Sequence, residues 1–345
     1  MKAAASRLLR LVLFVLLHTT RFAGLLALLL GSFVTPYSTA ATPEFAIRDR
    51  ISLSGDGKWD YASIDASHQR LYITHGNQVQ VVELGTHQIA GAITGTEGAH
   101  GVAFAPELNL GFISNGRSDS VTVFALDSLA VKQQVKVSGK NPDAILHVPQ
   151  VHQLYVFNGN SANVTVFDVP SMRIVSTIKV GGRPEFAVSD GAGRIYLNIE
   201  DKNAIEVIDI AAGKVIAHWP LAGCEEPTGL ALDIVHARLF SACKNKMAMV
   251  VDARDGKHVA DFAIGAHPDA AAYDAETGRN YVSNGDSATL TVAQQLSPDR
   301  YRVLANVPTT AGAKTMAFDP ATKYVYLPAS MDGTLKVLVV APADK

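Results

Sequence analysis

The sequence predicts an all-β fold built from seven copies of one four-stranded unit. An apolar-aromatic-apolar triplet recurs along the chain, and successive aromatic residues of this triplet are 40 to 45 residues apart. Each copy also carries four short β-type runs, and no segment after residue 40 sustains the 3.6-residue period of an amphipathic helix. The repeat aromatics are Tyr72, Phe112, Tyr155, Tyr196, Phe240, Tyr281 and Tyr326.

Four strands repeated seven times predict a seven-bladed β-propeller. One twisted four-stranded antiparallel blade cannot bury both of its faces, whereas a ring of blades packs face to face and leaves only short edges. A parallel β-helix would need shorter repeats, and the Gly-His and Trp-Asp signatures of WD40 blades do not recur with the repeat. The seven copies fill residues 45–340, so we predict a single propeller domain there.

The third copy illustrates the four strands. Residues 131–137, 144–148, 154–157 and 163–167 are apolar or alternating runs, and turn residues separate them. Asn158-Gly159 joins two of these runs, and the same dipeptide recurs in the second and sixth copies. Asn-Gly between alternating runs is a strong hairpin signal because both residues tolerate a positive φ.

The two ends of the repeat region predict how the ring closes. Residues 45–53 read as a strand that precedes the first triplet, while the last repeat ends at 335–340 without a fourth strand after it. We therefore expect the N-terminal strand to become the outer strand of the last blade.

The first forty residues predict a signal peptide, residues 1–40. Lys2, Arg7 and Arg10 precede two apolar runs, 11–17 and 23–34, and Ser38-Thr39-Ala40 fits a small-x-small cleavage pattern. Neither run reaches the ~18 uncharged residues of a membrane span, so we expect no stable span after cleavage and a periplasmic or secreted protein. An uncleaved membrane anchor is the alternative.

Composition excludes several classes of protein. With 48% hydrophobic and 18% charged residues the chain is not disordered. Cleavage at residue 40 would remove four basic and no acidic residues, which changes the formal net charge from -2 to -6. That charge argues against nucleic-acid binding. No CxxCH and no Gly-rich phosphate loop occurs, so we predict neither haem nor a nicotinamide cofactor, and the two tryptophans argue against a quinone cofactor.

The repeat resembles that of the YVTN-repeat seven-bladed β-propellers, the YncE-like group of exported bacterial proteins. The resemblance rests on a Tyr/Phe-(Ile/Val)-(Ser/Phe)-Asn motif, with Pro-Asp or Pro-Glu about twelve residues earlier, and on the segments CEEPTGLA at 224–231 and RLFSAC at 238–243. It covers nearly all of the chain after residue 40, and it implies the fold and export rather than an activity. Four copies depart from the motif, with His75, Ile199, Cys243 and Ala329 at the Asn position.

One position per blade should lie at the start of the innermost strand and therefore around the channel. A proline precedes it in four of the seven copies, and proline is suited to the start of a strand. We call these residues the ring positions. They are Asp60, His100, Asp143, Glu185, Thr228, Asp269 and Lys314.

The ring predicts a polar channel mouth with ligand-binding capacity. Its carboxylates would raise each other's pKa unless a cation joins them. Divalent metal binding by Asp60, His100, Asp143, Glu185 and Asp269 is one possibility, with oxygen ligands for calcium or with the histidine for a transition metal. A small polar molecule is another, for which Lys314, Arg183 and His267 offer anion contacts. A merely water-filled channel remains the third.

The two cysteines are expected to form a disulfide. Cys224 lies in the loop before blade 5 and Cys243 ends that blade's second strand, so both lie at the same end of neighbouring strands. In the chain-entropy view such a bond stabilises by about 3 kcal/mol. The alternative is a reactive thiol or metal pair near Glu225 and Glu226.

These observations favour an exported, non-enzymatic binding or scaffold propeller, with a small molecule, peptide or protein as its partner. The ring and the loops that hold His75, Asn115, Asn158, Lys244 and Asn284 would form its binding face. A metal-dependent lactonase-like hydrolase or lyase is the enzymatic alternative, with the ring carboxylates and His100 as ligands and His267 as general base. Single-stranded nucleic-acid binding is a second alternative, through Lys202, Lys244 and Lys246.

Overall fold

A computed structural model describes residues 44–55 and 59–343, and the predicted signal peptide lies outside this part of the chain. Within it, 28 strands form seven four-stranded antiparallel sheets. The sequence-based prediction of a seven-bladed β-propeller is therefore confirmed. Within the described residues, no helix has the length and apolar character that a membrane crossing requires.

Six blades are formed by consecutive strands. Blade 1 comprises β2 (Trp59–Asp65), β3 (Arg70–His75), β4 (Gln78–Glu83) and β5 (Ile89–Thr94). Blade 2 comprises β6 (Ala99–Ala105), β7 (Leu110–Asn115), β8 (Ser120–Ala125) and β9 (Val131–Lys136). Blade 3 comprises β10 (Pro142–Val148), β11 (Gln153–Asn158), β12 (Asn163–Asp168) and β13 (Arg173–Lys179). Blade 4 comprises β14 (Pro184–Ser189), β15 (Arg194–Ile199), β16 (Ala204–Asp209) and β17 (Lys214–Pro220). Blade 5 comprises β18 (Pro227–Asp233), β19 (Arg238–Cys243), β20 (Met247–Asp252) and β21 (His258–Ala263). Blade 6 comprises β22 (Pro268–Asp274), β23 (Arg279–Asn284), β24 (Thr289–Ser297) and β25 (Arg300–Pro308). Short 3₁₀ turns occur at Pro106–Leu108, Pro149–Val151 and Glu200–Lys202.

Blade 7 joins the two ends of the repeat region. It comprises β26 (Ala317–Asp319), β27 (Tyr324–Met331), β28 (Thr334–Pro342) and the N-terminal β1 (Phe45–Ser52). β1 pairs antiparallel with β28, from Phe45 opposite Pro342 to Ser52 opposite Lys336. The predicted closure by the N-terminal strand is thus confirmed. It leaves β1 as the outer strand of that blade.

The core lies between the blades. Each repeat aromatic is at most 3% exposed. In the residues that the structure describes, the buried apolar side chains form seven clusters, and each cluster draws on two neighbouring blades. Burial of large aromatic side chains between twisted sheets supplies the main stabilisation of the ring. The sequence repeat is therefore the repeat of these interfaces.

Candidate functional site

A β-bulge places the ring side chains. In blades 1 to 6 the pairing between the innermost strand and its neighbour shifts register just after the first residue of the strand, as between Pro142 and Ile145 or Pro184 and Ala187. The ring position falls inside each of these shifts. Bulges bend a strand and re-aim side chains, so the same local irregularity presents the ring residues of blades 1 to 6. Lys314 instead lies before β26, Ala317–Asp319.

Polar side chains of the neighbouring blade bind the backbone at these bulges. Ser114 donates a hydrogen bond to the carbonyl oxygen of Asp143, and Asn198 donates one to that of Thr228 at 2.7 Å. Ser283 and Thr315 bind the carbonyl oxygens of Lys314 and Asp60 in the same way. A carbonyl group freed from its strand partner would otherwise be unsatisfied. These contacts join blade 2 to blade 3, blade 4 to blade 5, blade 6 to blade 7 and blade 7 to blade 1.

A cavity of about 460 Å³ lies at the channel mouth. It is lined by six of the seven ring residues and by Arg183 and His267, so the eight residues predicted from the sequence are together. Thr228 is the exception, because it is 1% exposed and its hydroxyl bonds the carbonyl oxygen of Pro268 at 2.8 Å. The remaining lining residues are Trp59, Tyr61, Gly76, Gly98, Ala99, Arg117, Glu200 and Lys244.

One side of the cavity floor is held by ion pairs. The Lys314 ammonium lies 2.6 Å from Asp269 Oδ2 and 3.5 Å from Asp60 Oδ1. The other oxygen of Asp60 accepts a hydrogen bond with His100 Nδ1. We call Lys314, Asp269, Asp60 and His100 the paired side.

These contacts shift the pKa values of the two basic groups upward. Burial alone would lower the pKa of His100, but its hydrogen bond with Asp60 and the charges of Asp143 and Asp60 raise it overall. Burial also acts to lower the pKa of Lys314. The charges of Asp269 and Asp60 outweigh burial and raise this pKa overall. Both cations are therefore stabilised in their charged forms.

The other side of the floor holds acids that lack such partners. We call Asp143 and Glu185 the unpaired side. They are 7% and 9% exposed. Asp143 lies 3.8 Å from His100 Nδ1, and Glu185 Oε2 is buried without a hydrogen-bond partner among the described residues. A buried carboxylate oxygen in that state is costly.

The pKa values of the unpaired acids reflect this cost. Burial, aided by the charges of Asp60 and Asp269, raises the pKa of Asp143 to about 6, against the opposing effect of His100. Burial raises the pKa of Glu185 well above its usual range, and the charge of Asp143 adds to it. Binding of a cation or a proton would therefore stabilise these two acids.

The structure narrows the predicted metal set. Among the described residues, Asp60, His100 and Asp143 each offer a ligand atom, and these atoms lie within 4.8 Å of one another. Glu185 and Asp269, which the sequence analysis added as ligands, do not join this group. Asp269 is paired with Lys314 instead, so an ammonium already fills the place of a metal beside it.

Four side chains form a charged rim above the floor. Arg183 lies 3.1 Å from Glu200, and the Lys244 ammonium lies 2.7 Å from Glu200 and 2.5 Å from Glu226. We call Arg183, Glu200, Lys244 and Glu226 the rim. The turn at 200–203 carries charges of both signs, but Glu200 is only 7% exposed. One sequence signal sets Glu200 apart from an ordinary turn residue. It occupies the repeat position at which four other blades have a glycine, namely Gly76, Gly116, Gly159 and Gly285.

The motif asparagines do not line the cavity. Asn115, Asn158 and Asn284 are fully buried, and each donates from Nδ2 to a threonine hydroxyl of the next strand at 2.9 Å. His75 is also buried and contacts Gln80 at 3.0 Å. These four side chains therefore do not line the cavity. Of the five residues named with the predicted loop face, Lys244 is the only one that lines it in the described part of the chain.

His267 and Tyr61 mark the outer and inner limits of the cavity. The His267 side chain is about half exposed and lies 3.7 Å from Asp286. At the inner end, the Tyr61 ring stacks on Phe186 with centroids 5.9 Å apart. Below them the channel is lined mainly by small and apolar residues such as Ala144 and Met316. The cavity is therefore a polar recess above a narrower apolar section of the channel.

Cys224 and Cys243 form the predicted disulfide, with Cα atoms 5.3 Å apart. Cys243 directly precedes Lys244, and Cys224 is two residues from Glu226. The bond therefore ties together the two segments that supply one side of the rim.

Comparisons with known proteins support the fold alone. A scan against protein-family models gives no match, and neither does a search of curated proteins. Among solved structures, the chain resembles one titled Kuenenia stuttgartiensis Hydrazine Synthase, at 16% identity and a TM-score of 0.71, covering 83% of this chain and 96% of that one. It also resembles a chain of a structure titled Crystal Structure of Mitotic Checkpoint Complex, at 12% identity and a TM-score of 0.76, covering 93% and 100%. Identities this low carry no function across.

Proposed function

We propose that this chain is an exported binding propeller that takes a small polar ligand in the recess at its channel mouth. The observation that carries the proposal is the pair of buried acids on the unpaired side, Asp143 and Glu185, facing a cavity of about 460 Å³. Clefts of this size with a few convergent polar groups and perturbed pKa values are typical ligand sites. A recess suits a small molecule better than the flat face of a protein partner.

Family and compartment are part of the same proposal. The repeat motif supports membership of the YVTN-repeat, YncE-like propellers, and the first forty residues support export to the periplasm or beyond. Cell fractionation with N-terminal sequencing tests this. We expect a periplasmic protein that starts at Ala41, and a cytoplasmic protein that retains Met1 would overturn the assignment.

Native mass spectrometry tests ligand binding. We expect protein purified gently from its host, without chelator, to carry a mass excess that the double variant Asp143→Asn, Asp269→Asn loses. Asp255→Asn with Asp261→Asn is the matched control, because both of these acids are exposed. An identical spectrum for wild type and the mouth variant would remove the support for a ligand at this site.

Metal-dependent hydrolase or lyase activity is a second candidate function, favoured by the group of Asp60, His100 and Asp143. One histidine and two carboxylates suit a divalent transition metal. Elemental analysis of the same sample separates the candidates: a stoichiometric metal that is lost in His100→Ala supports the enzyme, and an organic mass excess supports the binding protein. Nucleic-acid binding is not favoured, because the floor of the recess is acidic.

A further inference from the structure

The unpaired side of the cavity lacks one specific kind of group, a hydrogen-bond donor that carries positive charge. Glu185 is 9% exposed, lines the cavity, and has in Oε2 a buried acceptor without a partner among the described residues. Asp143 beside it has His100 at 3.8 Å as its ion-pair neighbour. A carboxylate is an acceptor only, so neither acid can satisfy the other while both are ionised.

An ammonium group meets this need better than a metal ion does. It brings three N–H donors, and charge-assisted hydrogen bonds to carboxylates are among the strong ones. Glu185 lies outside the group of ligand atoms that converge within 4.8 Å, so a metal there would leave its oxygen unsatisfied. The paired side already shows the arrangement that we infer, since the Lys314 ammonium lies 2.6 Å from Asp269.

The size of the cavity calls for more than an ammonium alone. Its volume of about 460 Å³ is on the order of fifteen water molecules at ~30 Å³ each. A ligand that fills it has a body of several carbon atoms between the floor and the rim.

The rim indicates the chemistry of the ligand's other end. Arg183 is 50% exposed, and its one ion pair within the described residues is the 3.1 Å contact with Glu200. A guanidinium carries five N–H donors, so Arg183 can bind an anion as well. Arg117 lines the same cavity. Asp143 and Glu185 are thus buried, whereas the Arg183 guanidinium lies at a more exposed part of the same cavity.

We propose that the cavity binds a small zwitterion, with its protonated amine at Asp143 and Glu185 and its carboxylate or other anionic group at Arg183. This inference rests on the proposed function, because it names the ligand class of the same recess. It excludes simple anions, which the floor would repel, and diamines, whose second ammonium would meet the Arg183 guanidinium.

Calorimetric titration of the purified protein with an ω-amino acid series, from glycine to 6-aminohexanoate, tests this proposal. Hexylamine, hexanoate and 1,6-diaminohexane are the matched probes. We expect at least one amino acid to bind more tightly than all three. Glu185→Gln should weaken that binding by at least about tenfold. Arg183→Met should bring the amino acid to the level of hexylamine. Asp319→Asn, a buried acid at the far end of β26, should change nothing.

Each outcome decides the proposal. Thermal melts first establish that the variants fold. If Glu185→Gln does not fold, Asp143→Asn replaces it as the variant on the floor of the cavity. Binding of hexanoate or of the diamine above every amino acid overturns the zwitterion. The zwitterion proposal is also overturned if no amino acid binds. If the double variant Asp143→Asn, Asp269→Asn nevertheless loses the mass excess, the proposed function survives. If no probe binds and no mass excess exists, both fail.

Discussion

Asp143 and Asp269 occupy the same place in two blades and meet opposite surroundings. Each follows a proline at the start of an innermost strand, and each lies within a β-bulge. Asp269 has the Lys314 ammonium at 2.6 Å, whereas the ion-pair neighbour of Asp143 is a histidine at 3.8 Å. The fold thus presents both carboxylates alike, and one neighbouring side chain decides whether the carboxylate is paired.

The difference separates support from function. Repulsion among the ring acids is offset at the paired side by Lys314 and His100, which holds that side in one arrangement. The unpaired side keeps its electrostatic cost in the folded protein. Groups that cost stability and face a cavity are typical of sites shaped for a ligand.

Loss of Lys314 should have the largest effect on stability. Lys314→Met would leave Asp60 and Asp269 without their ammonium. The three side chains are 15–32% exposed, and removing one partner of a largely buried pair is strongly destabilising. We expect a loss of about 3 kcal/mol in the free energy of unfolding at pH 7.5, measured by urea titration. The loss should shrink toward pH 4, where the stranded carboxyl groups take up protons.

Lys140→Met is the matched control for that variant. Lys140 also lies 2.7 Å from an aspartate, Asp119, but its side chain is 71% exposed. An exposed pair contributes about 0.2–1 kcal/mol. Equal losses for the two variants would contradict the distinction between a structural floor pair and a surface pair.

Neutralising Asp143 should raise the free energy of unfolding, whereas loss of Lys314 should lower it. The pKa of Asp143 is raised to about 6 in the folded protein, from an ordinary value of about 3.9. Between these values the folded state binds more protons than the unfolded state, so stability falls as pH rises. Asp143→Asn should therefore add at most about 3 kcal/mol above pH 6 and almost nothing below pH 4. His100, Asp60, Asp269, Glu185 and Arg183 all act on this group.

Melts of wild type and Asp143→Asn across pH 3.5–8 measure this effect. The two curves should coincide at the acid end and diverge between pH 4 and 6. A variant that is less stable than wild type at pH 7.5 would mean that the 3.8 Å contact with His100 outweighs the cost of burying Asp143, and the two sides of the floor would then be alike.

The ring positions were predictable from sequence because the bulge recurs with the repeat. Alignment of the prolines places Asp143 and Asp269 at one height without any structure. Which acid is paired was not predictable, because a lysine reaches sideways to Asp60 and Asp269 from a ring position of its own, and spacing does not fix the direction of a long side chain.

The motif asparagines show the reverse failure. Their recurrence suggested a shared surface, but Asn115, Asn158 and Asn284 bind threonines seven residues later, inside their own blades. A polar residue that repeats with the fold serves the fold. Glu200 and Lys244 depart from the glycine found at their position in four blades, and those two departures line the cavity.

A substitution in the rim should lower the free energy of unfolding less than a substitution on the paired side of the floor. Lys244→Met removes two ion pairs, but Arg183 still lies 3.1 Å from the buried Glu200. We expect a loss of about 1 kcal/mol, because Glu200 keeps a cationic partner. The other partner, Glu226, has a side chain that is 56% exposed, so that pair is weak and 1 M NaCl should screen it. The loss in Lys314→Met should keep most of its size in the same salt. A rim effect as large and as salt-resistant as that of the floor would make the rim part of the structural ring.

Added divalent metal should have the smallest effect of all. His100 Nδ1 is the nitrogen that faces Asp60 and Asp143, and it is hydrogen-bonded to Asp60. Its other nitrogen packs against Gly116, where an added Cβ would lie 2.5 Å away. A metal would have to displace the proton on Nδ1, whose pKa is raised, and it would add its charge beside Lys314. We therefore expect Zn²⁺ or Mn²⁺ at tenfold excess, or EDTA, to leave the melting temperature within about 1 °C, because a ligand stabilises only in proportion to its binding. A clear rise with Zn²⁺ that His100→Ala abolishes would show that the paired side opens to a cation, and it would move the chemistry of the recess from the unpaired acids to the metal group.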